Sequence, residues 1–152
     1  MHPMDQCAAK VVLAAAADRY NTDPATATVS LQLYEAVRFF IQEGAGATGT
    51  AVVTAEECTA ADGSDATAIA FRYRTKDDTA DWGAWQDATA AGFTTTAGAD
   101  QLYEVRIDAA ETSDLSPFVR LQLTEGVDSP VAGAVIAVAE GARYAQEPPI
   151  TP

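Results

Sequence analysis

The stretch from Gln101 to Ala139, QLYEVRIDAAETSDLSPFVRLQLTEGVDSPVAGAVIAVA, decides the fold. Tyr103, Val105 and Ile107 alternate with Glu104, Arg106 and Asp108. Val119, Leu121 and Leu123 alternate with Arg120, Gln122 and Thr124. A period of two puts one set of side chains against a core and the other toward water, so two β-strands are predicted. Ala132–Ala139 has no polar residue on either face, and a third strand covered on both sides is expected. The connectors, Ala109–Pro117 and Glu125–Pro130, are rich in turn formers.

Upstream, Ala27–Leu33 (ATVSLQL) reads as a strand with Val29, Leu31 and Leu33 on one side. Tyr34 and Glu35 read as a turn. Val37–Gln42 alternates again, with Val37, Phe39 and Ile41 inward and Phe40 beside Arg38 on the other face. Gly44–Gly49 (GAGATG) reads as a hairpin loop; it lacks the GxxxxGK[ST] pattern and a following helix, so it is no phosphate cradle. Thr50–Cys58 is a strand of open facing, because Val52 and Val53 are adjacent. Ala68–Arg74 (AIAFRYR) reads as one strand with Ile69, Phe71 and Tyr73 inward. Trp82–Asp87 and Phe93–Thr96 are short strands. Near the start, alanine favours helix over Lys10–Ala16, while Val11, Val12 and Leu13 favour strand; Asp18–Pro24 is a turn segment. About ten short strands with frequent turns predict an all-β fold, a single-domain antiparallel β-sandwich or jelly-roll-like structure, rather than an α/β one. The expected organisation is an N-terminal arm or first strand over residues 1–27, a sandwich over 28–146, and an extended Pro-rich tail over 147–152.

The chain of 152 residues suits one domain; 48% is apolar, much of it alanine. Its formal charge is −13, from 22 acids against 9 bases, which argues against nucleic acid, since phosphate contacts need Lys and Arg. No apolar run approaches the roughly 20 residues of a membrane span. The start is a poor signal peptide: Asp5 sits where positive charge is wanted, and the VVLAAAA run is short. Cys7 and Cys58, 51 residues apart, make neither a disulfide framework nor a zinc motif; two partly buried thiols are expected rather than one bridge. Arg38, Arg72, Arg74, Arg106 and Arg120 fall at polar strand positions, whereas acids crowd the loops. Arginines lying across an outer sheet face, some paired cross-strand with Glu104, are therefore expected.

Catalytic chemistry finds few residues. The single histidine is His2, at the end of the chain, which removes Ser-His-Asp and Cys-His catalysis and most zinc sites. Cys58 then reads as a packed thiol. Adjacent acids such as Glu56-Glu57 point to opposite faces of a strand, unlike the spaced pair of a glycosidase. Asp62-Gly63-Ser64-Asp65 and Asp77-Asp78 offer oxygens to calcium, but the EF-hand pattern is absent and solvated turns read better. Trp82 and Trp85, in Trp82-Gly83-Ala84-Trp85, would face opposite ways on a strand. One would be core and the other a stacking platform for sugar or an anchor for a protein, unless loops cover both. No cofactor and no metal are expected, and the protein reads as non-enzymatic.

The carriers of a resemblance are Glu57-Cys58, Phe71-Arg72-Tyr73-Arg74, Trp82-Gly83-Ala84-Trp85, Tyr103, Val119-Arg120-Leu121 and Asp128-Ser129-Pro130, within Val29–Gln146. In this pattern the chain resembles a group of small β-rich virion proteins of tailed bacteriophages, the capsid decoration (cement) type. The first 27 residues take no part in the match. The resemblance implies a protein made in the host cytoplasm that binds the outer surface of the assembled major capsid protein lattice and stabilises the head, as a homotrimer about local threefold axes. Contact is expected through Trp82 and Trp85 and the N-terminal arm. Two other functions fit the same residues: a carbohydrate-binding sandwich for host attachment, and a tail or neck component.

Overall fold

The alternating segments pair into two facing antiparallel sheets. In a computed structural model, which describes residues 7–46, 48–76, 81–113 and 115–143, the strands are β1 (Ala8–Ala16), β2 (Val29–Ser30), β3 (Tyr34–Glu43), β4 (Thr50–Cys58), β5 (Thr67–Ile69), β6 (Phe71–Lys76), β7 (Gln86–Ala88), β8 (Phe93–Thr94), β9 (Leu102–Asp108), β10 (Phe118–Val127) and β11 (Gly133–Ala142). One sheet has the order β1-β11-β3-β9-β6-β7; the other has β2-β10-β4-β5, with β8 pairing β4. The chain crosses between sheets at nearly every connection. The nested order, 1-11-3-9 facing 2-10-4-5, is that of a jelly roll, with β6 and β7 added beyond β9. The sandwich expected from the alternation is present.

The inward sets are those the period of two selects. Val37, Phe39, Ile41, Tyr103, Val105 and Ile107 of the six-stranded sheet face Val53, Val119, Leu121 and Leu123 of the other, all buried. Burying each large aliphatic or aromatic side chain contributes about 1.5–3 kcal/mol. The open facing of β4 resolves with Ala51, Val53 and Ala55 inward and Val52 half-buried outward; Cys58, at the strand's end on the Glu56 side, is buried outside the main core. Stacked Tyr73 and Phe93 rings, 4.0 Å apart and nearly parallel, close one side of the core against Phe71 and Tyr103.

Several segments depart from the sequence reading. The supposed single strand Ala68–Arg74 breaks at Ala70: β5 belongs to one sheet and β6 to the other, because unbroken alternation does not reveal a corner. Gly44–Gly49 is no hairpin loop, since β3 and β4 lie in different sheets; Gly49 is required where the loop passes Ser129 and Val131, which a Cβ would strike. Tyr34 and Glu35 begin β3 instead of turning the chain. Ala27–Leu33 yields only the two-residue β2, and Leu33 is exposed while Leu31 is buried. Of the two readings open for Lys10–Ala16, strand is the one found: it is part of β1, built into the sheet edge. β11 is covered on one face only: Val135, Ala137 and Ala139 are buried, but Ile136 is 44% exposed on the other. Its apolar residues there are exposed because no other described element forms a layer over the outer face of β1 and β11.

Candidate docking face

The outer face of the six-stranded sheet gathers most of the residues singled out above. Register fixes its rows. Val11, Ile136, Phe40, Glu104 and Arg74 are direct cross-strand neighbours on β1, β11, β3, β9 and β6. The next row runs Ala9, Val138, Arg38, Arg106, Arg72 and Asp87. Three arginines side by side repel unless carboxylates stand between them. Asp108 accepts from Arg72 at 3.1 Å and from Arg106 at 2.9 Å, and Glu140 accepts from Arg38 at 3.0 Å. The Asp108 hydrogen bond, with added attraction from Asp108 and Glu140, pushes the Arg106 guanidinium further toward its charged form.

Glu104 was expected in water but is fully buried. Arg74 donates to its Oε2 from Nε at 2.6 Å and Nη2 at 2.5 Å, and Arg38 donates to Oε1 at 3.0 Å. Two guanidiniums and the aromatic rings above them shut water out. The Arg74 guanidinium lies 4.5 Å from the Trp82 ring centroid and 4.7 Å from that of Trp85. Trp82 in turn contacts Phe40 with centroids 6.5 Å apart. The tryptophans do not face opposite ways, because Trp82–Trp85 is not strand. Gly83 donates to the Thr75 carbonyl at 2.9 Å, laying the segment beside β6, and β7 starts only at Gln86. Trp85 keeps 38% of its surface exposed.

Charge separates along with the aromatics. Strand positions on this face hold five of the nine basic residues, Arg38, Arg72, Arg74, Lys76 and Arg106, and four of the twenty-two acids, Asp87, Glu104, Asp108 and Glu140. Eighteen carboxylates against four cations are left for the rest of the chain. One face is thus near neutral while everything else is strongly anionic.

The other candidates do not assemble. Glu56 pairs with Arg120 at 2.7 Å, while Glu57 on the opposite face accepts from the Ser113 amide at 2.7 Å. The Asp65 carboxylate accepts from the Thr59 hydroxyl and caps the Ala60 and Thr59 amides, and Asp62 accepts from the Ser64 amide; these bonds hold both below the usual carboxylate range. Among the described residues no three His, Cys, Asp or Glu side chains gather as a metal site. No helix among them is long and apolar enough to cross a membrane. Cys58 is buried, with its thiol pushed up by burial, and it is not bridged to Cys7. His2, Asp77, Asp78 and the tail fall outside the described residues.

Sequence reading missed one buried polar cluster. Tyr20, inside the supposed turn segment, is buried and donates to Oε1 of Glu43, which is 1% exposed. Among the described residues, Oε2 of Glu43 has no hydrogen-bond partner. Burial pushes both groups up, and Tyr103 beside them likewise. The signal was available: Glu43 continues the inward series 37, 39, 41.

The molecule is thus a jelly-roll-like sandwich carrying one neutral, aromatic and arginine-rich sheet face. No protein-family model matches the chain, and no curated protein does. A solved structure that does match is the SPBc2 prophage-derived protein YomS, at 12% identity and a TM-score of 0.46, covering 88% of this chain and 93% of that one.

Proposed function

We propose that the protein is a non-enzymatic virion structural protein of a tailed bacteriophage, docking on the outer surface of the assembled major capsid protein lattice and stabilising the head. The observation that carries this reading is the Trp82–Arg74–Trp85 stack on a near-neutral sheet face. Tryptophan and arginine dominate the energetics of protein–protein contacts. Here both indoles are fixed in place by Arg74, whose guanidinium is itself held by the buried Glu104, so little ordering is left for binding to do. The resemblance of Val29–Gln146 to decoration proteins supplies the partner. The anionic remainder, repelled by packaged DNA, suits the outside of the shell. Docking would add stability to an alanine-rich core, since whatever binds the folded form shifts the folding equilibrium.

The test is to mix purified protein with undecorated heads and count bound copies. Saturation in proportion to the number of capsomers, reduced by Trp85→Ala, is expected. A few copies at one vertex would overturn the reading and favour a neck or tail component. The exposed indole of Trp85 also suits a sugar ring, so glycan binding that disappears in Trp85→Ala would favour host attachment instead.

A further inference from the structure

The docking face has a second, apolar half, which meets the tryptophans through the Phe40–Trp82 contact. On the outer side of β1, β11 and β3, Val11 is 61% and Ile136 44% exposed, with half-buried Val138 and Phe40 beside them. Val11, Ile136 and Phe40 are consecutive in one cross-strand row, and Ala9 and Val138 are adjacent in the next. The strip is therefore continuous. β1 and β11 together hold two charged residues, Lys10 and Glu140, one of each sign. Among the described strands of nine or more residues, each of the others holds at least two charged residues.

We propose that this strip is the surface on which a second copy of the chain docks. Charge selects the occupant. Two chains of −13 repel through almost any pair of surfaces. Over a Debye length of about 8 Å the nearest groups dominate, so copies can approach only where both present a neutral surface. The outer sheet face is that surface, and the strip is its apolar end. Addition of a strand to the β1 edge is disfavoured, because the Val12 carbonyl already accepts from the Ala27 amide at 2.8 Å and the Ala14 carbonyl from Arg19. Contact is through the face.

The area sets the strength. Three strands spaced about 4.8 Å and ten residues long at about 3.3 Å each cover roughly 450 Å² per copy. The total, about 900 Å², falls in the range of weak, reversible contacts. Copies therefore associate weakly and reversibly in solution. The contact between copies needs only the charge distribution and does not depend on the capsid reading.

Sedimentation across a wide concentration range tests this. The weight-average mass is expected to rise above the 15.9 kDa of one chain as concentration increases, and to rise further when salt screens the repulsion. The double variant Val11→Thr, Ile136→Thr keeps charge and β-branching, so circular dichroism and tryptophan emission should match the parent. Its association should weaken about tenfold or more. A parent that stays monomeric at every concentration and salt overturns the proposal, as does a variant that associates as well as the parent. If the variant instead loses binding to undecorated heads while the parent is monomeric, the strip belongs to the capsid contact and not to a second copy.

Discussion

Glu104→Gln is the most informative single change. The Glu104 side chain is 1% exposed and receives Arg38 and Arg74, which are 31% and 23% exposed. Removing one partner from a fully buried ion pair costs about 3–5 kcal/mol. Here water can still reach part of each guanidinium, so about 2–3 kcal/mol is expected. The amide keeps one acceptor for one arginine and turns an NH2 on the other. At about 2–4 °C per kcal/mol for a chain of this length, the melting temperature should fall by roughly 5–10 °C. The chain has two tryptophans, both on Arg74, so tryptophan emission reports this cluster alone. Native-state emission should change before any unfolding, because Arg74 loses the carboxylate that holds it over the rings. Arg38→Ala should cost less and leave emission nearly unchanged, since Arg74 retains Glu104. A Glu104→Gln protein with less than about 0.5 kcal/mol of destabilisation and parental emission would refute the clamp.

Other changes probe the core and its polar cluster. Glu43 has its folded-state pKa raised, so the folded chain holds that proton to higher pH than the unfolded one. The stability it contributes is present below about pH 4.3 and lost as pH rises through the folded value. Urea titrations should show the parent losing ground to Glu43→Gln between pH 4 and pH 8; a parent that gains over that range contradicts the assignment. Leu121→Ala, at a fully buried position, should cost about 2–5 kcal/mol by the same assay. Gly92→Ala should cost a comparable amount, because φ is +79° and the new Cβ would strike the Val53 carbonyl; a neutral effect would mean that turn is built differently. In native protein Cys58 should resist thiol reagents until unfolding, because it is buried with a raised pKa; rapid labelling would mean that the β4 end opens.

Strands in which apolar and polar residues alternate cleanly, such as Leu102–Asp108 and Phe118–Thr124, were legible because one side meets a core and the other does not. Alternation does not say which sheet a strand joins. That is why Ala68–Arg74 looked continuous and Gly44–Gly49 looked like a hairpin. It also treats every outward position as wet. Glu104 lies outward as the parity requires, yet it is buried, because its cover comes from Arg74 on another strand and from Trp82 and Trp85 in a non-strand segment. The arginine ladder was foreseeable from spacing, and its pairing with Glu104 was expected. The stacking of both tryptophans on one arginine was not, since it depends on the Gly83–Thr75 bond that lays the segment on β6.

The most direct measurement is a cryo-EM reconstruction of undecorated heads saturated with the purified protein. The account predicts added density at repeated positions over the outer shell, with the Trp82–Trp85 end of the six-stranded sheet against the capsid. Density confined to the portal or tail axis, or bound copies with that sheet face turned away from the shell, would contradict it.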